Sequence, residues 1–301
     1  GNDQDALDCN LELKNAAPFF YNETFVNMTN ADRFLENLNE QDIARIRKAC
    51  EYHCKWYASW NENPDVESLH FTLQRYAKVH SMESVVKICV AFLSQDELAL
   101  YCKAPLSADN IFVWYRAAVL GKEEIEPRVA RKAEILRLIL QKLSKTSSDW
   151  KIILQESLNS TSALMCCVVI DILVELKQFE LLYTFYSPRI FRYLLFCVAY
   201  STEANPVSSF DHLWSYCIKQ NMWMHAARIL VWMAVHESDL DIADRHSYLE
   251  RAVDALGRGE GFGRNTLELD ELVRQLDVRD FGRVDLENVQ SHATLAKIQM
   301  D

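Results

Sequence analysis

Apolar residues recur every three or four positions along most of the chain, which is the spacing of a helix with one buried face. The first clear run ends at a polar break from Asn61 to Pro64, and its apolar and aromatic positions are Ile43, Ile46, Cys50, His53, Tyr57 and Trp60. Asp65 then supplies a candidate N-cap for the next helix. About a dozen such segments follow one another, and none shows the strict alternation of a strand.

Short polar joints separate the predicted helices. They lie near His80, Asp96, Pro105, Gly121, Ser147, Ser160, Gln178, Pro188, Pro206, Asn221, Asp239 and Gly257 to Gly263. Short joints turn successive helices into antiparallel neighbours. We therefore predict an all-α fold, an irregular α-solenoid of stacked antiparallel helical hairpins over residues 30–301, preceded by an irregular segment at residues 1–29. A compact bundle is the alternative.

Two segments are apolar on nearly every side, Ala163 to Leu176 and Trp223 to Val235. A helix of this kind must be covered on both flanks, so we predict that both lie inside the stack. No tetratricopeptide or ankyrin signature is present, which favours an irregular solenoid over a consensus-repeat protein.

Glycine and proline are scarce, with 7 Gly and 6 Pro among 301 residues. This shortage of turn formers argues against a sandwich, a barrel or a disordered chain. The net charge of −11 makes nucleic acid a poor partner, because phosphate binding needs a basic surface. Without a long apolar run or a signal-peptide layout, the chain is expected to be soluble and intracellular. Both ends look cut, so we expect a fragment of a larger protein.

The 9 cysteines show no framework of even spacing and are predicted to be mostly reduced core thiols. Cys50, His53 and Cys54 lie one helical turn apart and could present three ligands to zinc. No fourth ligand follows nearby, so a packed apolar face is the favoured interpretation. The adjacent Cys166 and Cys167 are predicted to fill the core.

Two polar stretches invite a chemical interpretation. The run from His236 to His246 is rich in carboxylates but lacks the spacing of a metal or calcium site, so we predict a solvated joint with an acidic start to the next helix. The glycines from Gly257 to Gly263 match neither a dinucleotide fingerprint nor a P-loop, so we predict a mobile loop. With no GxSxG and no readable nucleophile–histidine pair, we predict no enzyme activity and no catalytic, cofactor or metal-binding residue.

Three side chains on one predicted helix, Trp223, Met224 and Trp232, could anchor a protein partner. Residues of these types are more often core, and the sequence leaves both interpretations open. They are the only candidate site residues that it offers.

Residues 65–300 resemble the solenoid of the large inner-ring scaffold nucleoporins, the 155-kilodalton nucleoporin family, most clearly from Leu213 to Met300. The likeness is strongest in LWSYCIKQNMWMHAARILVWMAVHES, Leu213 to Ser238, and RHSYLERAVDAL, Arg245 to Leu256. Further similarity covers LAKIQM, Leu295 to Met300, and YAKVHSMESVVKICV, Tyr76 to Val90, and a weaker likeness covers Ile170 to Leu194. The matching positions in the strongest part are Leu213, Trp214, Tyr216, Ala226, Ala227, Arg228, Leu230, His236, Tyr248, Arg251 and Ala252.

The resemblance implies the C-terminal solenoid of a protein that also has an N-terminal β-propeller. It implies a scaffold role in the nuclear pore complex at the nuclear envelope, with flexible linker nucleoporins as partners and no cofactor. Because the family's membrane contact is attributed to the propeller, the resemblance implies no direct membrane contact by this part of the protein. A solenoid subunit of a vesicle coat or a membrane-tethering complex is the alternative, since it would share the helix rhythm. An all-helical enzyme of the terpene-synthase type would need a DDxxD motif, which the sequence lacks.

Overall fold

The computed structural model describes residues 23–35, 42–59, 66–103, 127–144, 146–199, 207–236, 240–262 and 293–294. These residues contain no strand and form twelve helices: α1 (Glu23–Leu35), α2 (Ile43–Ala58), α3 (Val66–Lys78), α4 (Met82–Lys103), α5 (Pro127–Leu143), α6 (Ser147–Asn159), α7 (Ala163–Glu175), α8 (Phe179–Tyr183), α9 (Pro188–Ala199), α10 (Val207–Lys219), α11 (Trp223–His236) and α12 (Ile242–Phe262). None of these helices is long and apolar enough to cross a membrane.

The chain divides into two compact units. The first comprises Gly1–Ser107 and Glu126–Val169, and the second comprises Ala108–Ile125 and Ile170–Asp301. In the first unit α4 packs against α2, α3, α5 and α6, and α1 packs on α2. In the second unit α9 packs against α10, α10 against α11 and α11 against α12, which is the stacking that the sequence predicts.

Helix α1 begins at Glu23, ahead of residue 30 where the sequence places the start of the solenoid. Residues 1–22 lie outside the described residues, as do the predicted joints at Pro105, Gly121 and Pro206. The joints near Ser147 and Ser160 are present at the two ends of α6. Its N-terminus carries a capping box, in which Thr146 and Asp149 bond each other's backbone N–H.

Three of the predicted joints end a helix in the same way. His80, Lys177 and Asn221 have φ values of 51°, 56° and 57°, which is the left-handed region. The next residue's N–H then bonds a carbonyl five positions back, as in Ser81 N to Tyr76 O at 3.0 Å and Met222 N to Cys217 O at 2.8 Å. These are Schellman turns built without glycine, and they satisfy carbonyls that the ending helix leaves open.

Two predicted joints are wrong. Helix α4 continues through Asp96, because the neighbouring polar side chains bond other helices rather than marking a turn. The Gln95 amide donates to the carbonyl of Ala58, and the Glu97 carboxylate accepts from the backbone of Ala163 at 2.8 Å.

The glycine-rich stretch is likewise not a loop, since α12 continues across Gly257, Gly259 and Gly261 to Phe262. Each glycine costs a helix about 1 kcal/mol relative to alanine. Packing of α12 against α11 offsets this cost, and a Cβ added at Gly259 would already touch Trp223 and Met224 at 3.4 Å. Gly263 lies outside the described residues.

Both predicted inner helices are buried. Every residue of α7 from Ala163 to Leu173 is buried, including Cys166 and Cys167, both fully enclosed as the sequence predicts. Helix α11 is buried from His225 to Ala234 apart from the half-buried Arg228, while Met224 and Val235 at its two ends are exposed.

Polar side chains tie helices together by bonding backbone groups of neighbouring helices. In the first unit the buried Lys132 ammonium donates to Phe92 O at 2.9 Å and lies over the Phe92 ring. In the second unit the Gln220 amide donates to Tyr183 O at 2.6 Å. We call these contacts side-chain-to-backbone ties.

Candidate partner-binding groove

The first unit carries an open groove of about 1180 Å³ between α2, α4 and α6. One face of α2 forms one wall, and the opposite wall is the stretch of α4 from Met82 to Ala91 with the turn before it. Helix α6 closes the groove with Ile152, Glu156 and Asn159. The helical spacing of the lining residues on α2 shows that the groove runs along this helix for about three turns.

The floor of the groove is apolar and its rim carries exposed isoleucines. Cys50, Met82 and Val86 are 4%, 4% and 2% exposed. At the rim, Ile43 is 57% exposed and Ile152 is 41% exposed. Large apolar side chains that face solvent around a concave apolar floor are typical of a surface that binds another protein.

The charges around the groove are balanced in number but differ between its sides. Along α2, Arg47, Glu51 and Lys55 follow one another at one-turn spacing and line the groove. On the α4 side, Lys87 forms a 2.5 Å ion pair with Glu83, so these two charges neutralise each other. The groove therefore has no strong net field that would select an anionic or cationic surface.

The residues considered as zinc ligands point in different directions. The Sγ atoms of Cys50 and Cys54 lie 3.9 Å apart and line the groove. His53 faces away from the groove, with its Nδ1 2.9 Å from the Tyr76 hydroxyl. The structure does not bring the three side chains together, and within the described ranges no group of three or more His, Cys, Asp or Glu is placed to hold a metal.

The two thiols differ in acidity. The Cys54 hydrogen bond lowers the pKa of Cys50, and the nearby Lys87 ammonium adds to this effect. The pKa of Cys54 is raised, first by its hydrogen bond with Cys50 and then by burial. Cys54 is the more accessible of the two thiols.

His53 belongs to a polar network that joins α1, α2 and α3. Burial, with a contribution from the Arg75 charge, lowers the pKa of His53 to about 3, so its ring is neutral at physiological pH. Arg75 forms an ion pair with Asp32 on α1, and the Tyr57 hydroxyl donates to Thr72 at 3.1 Å. This network holds the three helices in register behind the groove.

The sequence-predicted anchors lie on α11 in the second unit. Trp223 is half-buried beneath the Arg258 guanidinium, 5.3 Å from the ring centroid, and Met224 is 39% exposed. Trp232 is 6% exposed and stacks on Phe210, with ring centroids 4.8 Å apart. Trp223 and Met224 are thus on the surface and Trp232 is in the core, while the partner-binding role of all three stays a prediction.

The acidic stretch after α11 matches the predicted helix start. Asp241 Oδ1 accepts from Asp244 N at 2.7 Å, and Asp244 lies in the first turn of α12. An acceptor and a carboxylate at a helix N-terminus satisfy free N–H groups and favour the helix dipole.

The groove is a site that the sequence did not reveal. Its walls come from α2, α4 and α6, which are separated along the chain, and only their packing makes Ile43 and Ile152 part of one surface. An exposed isoleucine in an amphipathic helix was the available signal, but periodicity alone assigns such a residue to a buried face.

The packing of successive helices, together with structural comparison, defines the chain as an α-solenoid. Two solved structures of the C-terminal domain of Nup170 from Chaetomium thermophilum are similar to it. The first has a TM-score of 0.59 at 12% identity and covers 93% of this chain. The second, a variant with four substitutions to methionine, has a TM-score of 0.54 at 13% identity and also covers 93%. This chain spans 47% and 51% of those two chains.

The comparison confirms the all-α solenoid fold that the sequence resemblance implied. No family model matches the chain, and no curated protein matches it. The likeness therefore lies in the arrangement of helices, at a level of sequence identity where few side chains are shared.

Proposed function

We propose that this chain is a scaffold segment of the inner ring of the nuclear pore complex, located at the nuclear envelope and acting by binding other nucleoporins rather than by catalysis. Flexible linker nucleoporins are the proposed partners, and support of nucleocytoplasmic transport, including mRNA transport, is the proposed role. The observation that carries the proposal is the structural likeness to the Nup170 C-terminal domain over 93% of this chain.

The residues of the sequence resemblance support the proposal because they are packing residues here. Leu213, Tyr216 and Ala252 are fully buried. The Arg251 guanidinium on α12 lies 5.3 Å from the Trp214 ring centroid on α10, so two motif positions meet across helices. A resemblance that falls on interhelical contacts is what a shared solenoid would produce.

Affinity capture from a nuclear-envelope extract tests the proposal, with the chain as bait and bound proteins identified by mass spectrometry. Recovery of inner-ring linker nucleoporins is the expected result. Recovery of vesicle-coat or tethering subunits without pore proteins would favour the alternative solenoid class and contradict a pore role. A fluorescent fusion that gives no nuclear rim signal would contradict the proposed location.

Two variants examine whether the α11 surface contributes to capture. Met224→Asp places a charge beside Trp223 on the surface, and Val235→Asp does the same at the other end of α11, where the side chain is 48% exposed. If the predicted anchors bind a partner, Met224→Asp loses a captured protein that Val235→Asp retains. Equal capture by both variants would show that Trp223 and Met224 are not anchors.

A further inference from the structure

The α2 edge of the groove carries charges that have no ion-pair partner within the described part of the chain. Neither Arg47 nor Glu51 forms a close salt bridge there, and Lys55 lies 5.6 Å from the Tyr52 ring centroid. The pKa of Glu83 is lowered mainly by its hydrogen bond with Lys87, and the more distant Arg47 charge adds to this effect, so Arg47 is only partly compensated. The α4 edge differs, because Glu83 and Lys87 already bond each other. A bound partner thus meets positive, negative and positive charge in order along α2, with the Glu83–Lys87 pair opposite and Glu156 on α6 at the third side.

The length of the groove fits about three turns of one helix. Its lining on α2 runs from Ile43 to Lys55, a length of about 18 Å at the helical rise. Its walls are helices on three sides, and the described residues offer no sheet edge to which an extended peptide could add a strand. A helix satisfies its own backbone hydrogen bonds, so it can bury an apolar face here without leaving N–H groups unpaired.

A second copy of this chain does not fill the groove by symmetry. A two-fold interface brings the same patch of both copies together. Two concave grooves that face each other leave both floors uncovered. The occupant is therefore a separate convex element.

We propose that the groove between α2, α4 and α6 binds an amphipathic helix of about three turns from another protein. Its apolar face covers Cys50, Val86 and Ile152, and its edge along α2 carries an acidic, a basic and an acidic residue at i, i+4 and i+8. This pattern is the same in either chain direction, so it holds for parallel and antiparallel docking. The inference rests on the proposed function in that the helix would belong to a linker partner.

Two synthetic helices test the charge order. Both have about sixteen residues and the same leucine face, long enough for about three turns in the groove. One carries Glu–Lys–Glu along the edge and the other Lys–Glu–Lys. Fluorescence anisotropy with the full chain should show that the first binds about tenfold more tightly, since each mismatched pair changes attraction into repulsion. The triple variant Arg47→Glu, Glu51→Lys and Lys55→Glu should reverse this preference.

Matched variants test the place of binding. Ile152→Asp puts a charge into the groove and should weaken binding of the Glu–Lys–Glu helix at least about tenfold. Leu138→Asp alters a side chain that is 47% exposed on α5 in the same unit, outside the groove, and should leave binding unchanged. The bound helix should also slow alkylation of Cys50 and Cys54, which both line the groove and share one tryptic peptide, as measured by mass spectrometry.

Several outcomes would overturn the inference: equal affinity for both helices, no reversal by the triple variant, or equal loss in Ile152→Asp and Leu138→Asp. A dimer that Ile43→Asp converts into monomers would assign the groove to a second copy instead. The nuclear-envelope capture separates this inference from the proposed function. If the Ile152→Asp variant still captures pore proteins but no longer binds the synthetic helix, only the groove proposal is rejected. If the unmodified chain binds the synthetic helix but captures no pore proteins, only the pore role is rejected.

Discussion

Replacement of Glu97 by alanine should destabilise the chain more than most surface changes, because Glu97 caps a helix that lies far along the sequence. Its carboxylate is on α4 and is 5% exposed. It accepts from Ala163 N at 2.8 Å, Leu164 N at 3.3 Å and the Ser162 hydroxyl at 2.5 Å. These N–H groups belong to the first turn of α7, where the helix supplies no acceptor of its own.

The magnitude follows from these bonds. A hydrogen bond to a charged group contributes about 1.5–3 kcal/mol, and buried N–H groups left unpaired add a penalty. Water entering the space left by Glu97→Ala recovers part of the loss, so we expect the free energy of unfolding to fall by about 3–4 kcal/mol. Glu97→Gln keeps an oxygen for the two N–H groups and loses the charge at the helix N-terminus, so its cost should be about 1–2 kcal/mol.

Urea unfolding of the full chain, together with hydrogen exchange at the amides of residues 163–164, measures both effects. Ser94→Ala on α4 is the control, since the Ser94 hydroxyl bonds only within its own helix, to Ala91 O. Faster exchange at Ala163 and Leu164 should accompany the loss of stability. If Glu97→Ala cost less than about 1 kcal/mol, or no more than Glu97→Gln, the capping argument would be wrong.

Three further predictions concern a buried histidine, a tyrosine and a glycine. His53 has a pKa of about 3 when folded and about 6.5 when unfolded, so its contribution to stability is complete above about pH 6.5. As the pH falls below this value, the free energy of unfolding decreases by up to about 1.4 kcal/mol per pH unit. The urea midpoints measured at about pH 7.5 and pH 5 should therefore differ less in His53→Gln than in the unmodified chain. Tyr216→Phe removes a hydroxyl that accepts from Ser187 N at 2.9 Å and should lower the free energy of unfolding by about 1–2 kcal/mol, and an unchanged urea midpoint would contradict this. Gly257→Ala should raise the thermal midpoint and increase the free energy of unfolding by about 0.5–1 kcal/mol, because the position is helical and no atom lies within 4 Å of the added Cβ. An unchanged thermal midpoint would indicate a loop at this position.

Helix positions could be predicted from periodicity because an amphipathic face is a local property of sequence. The face Ile46, Cys50, His53 and Tyr57 of α2 is buried as its spacing predicts. Turns were predicted less reliably, because a left-handed turn can form without glycine and glycine can lie inside a helix. Lys177 adopts a left-handed conformation without being glycine, while Gly257 and Gly259 lie inside a helix, because tertiary packing can override the local preference of one residue.

The candidate site could be predicted only in part. Met224 is exposed as an anchor requires, whereas Trp232 on the same helix stacks on Phe210 in the core. The groove was beyond sequence reasoning, since Ile43 and Ile152 become neighbours on one surface only after three helices pack together. Sequence spacing indicates which residues share a helix face, but it does not indicate which helix packs against that face.

The side-chain-to-backbone ties bear on how far such a sequence can diverge. A tie such as Gln220 to the Tyr183 carbonyl, or Arg245 to the Ala234 carbonyl at 2.6 Å, needs one particular side chain and only a peptide group opposite it. Every residue supplies that peptide carbonyl, so the accepting position is free to mutate while the tie persists. A pair of interacting side chains must instead change together. A fold held by such one-sided contacts tolerates extensive sequence change, which fits a similar arrangement of helices at 12% identity.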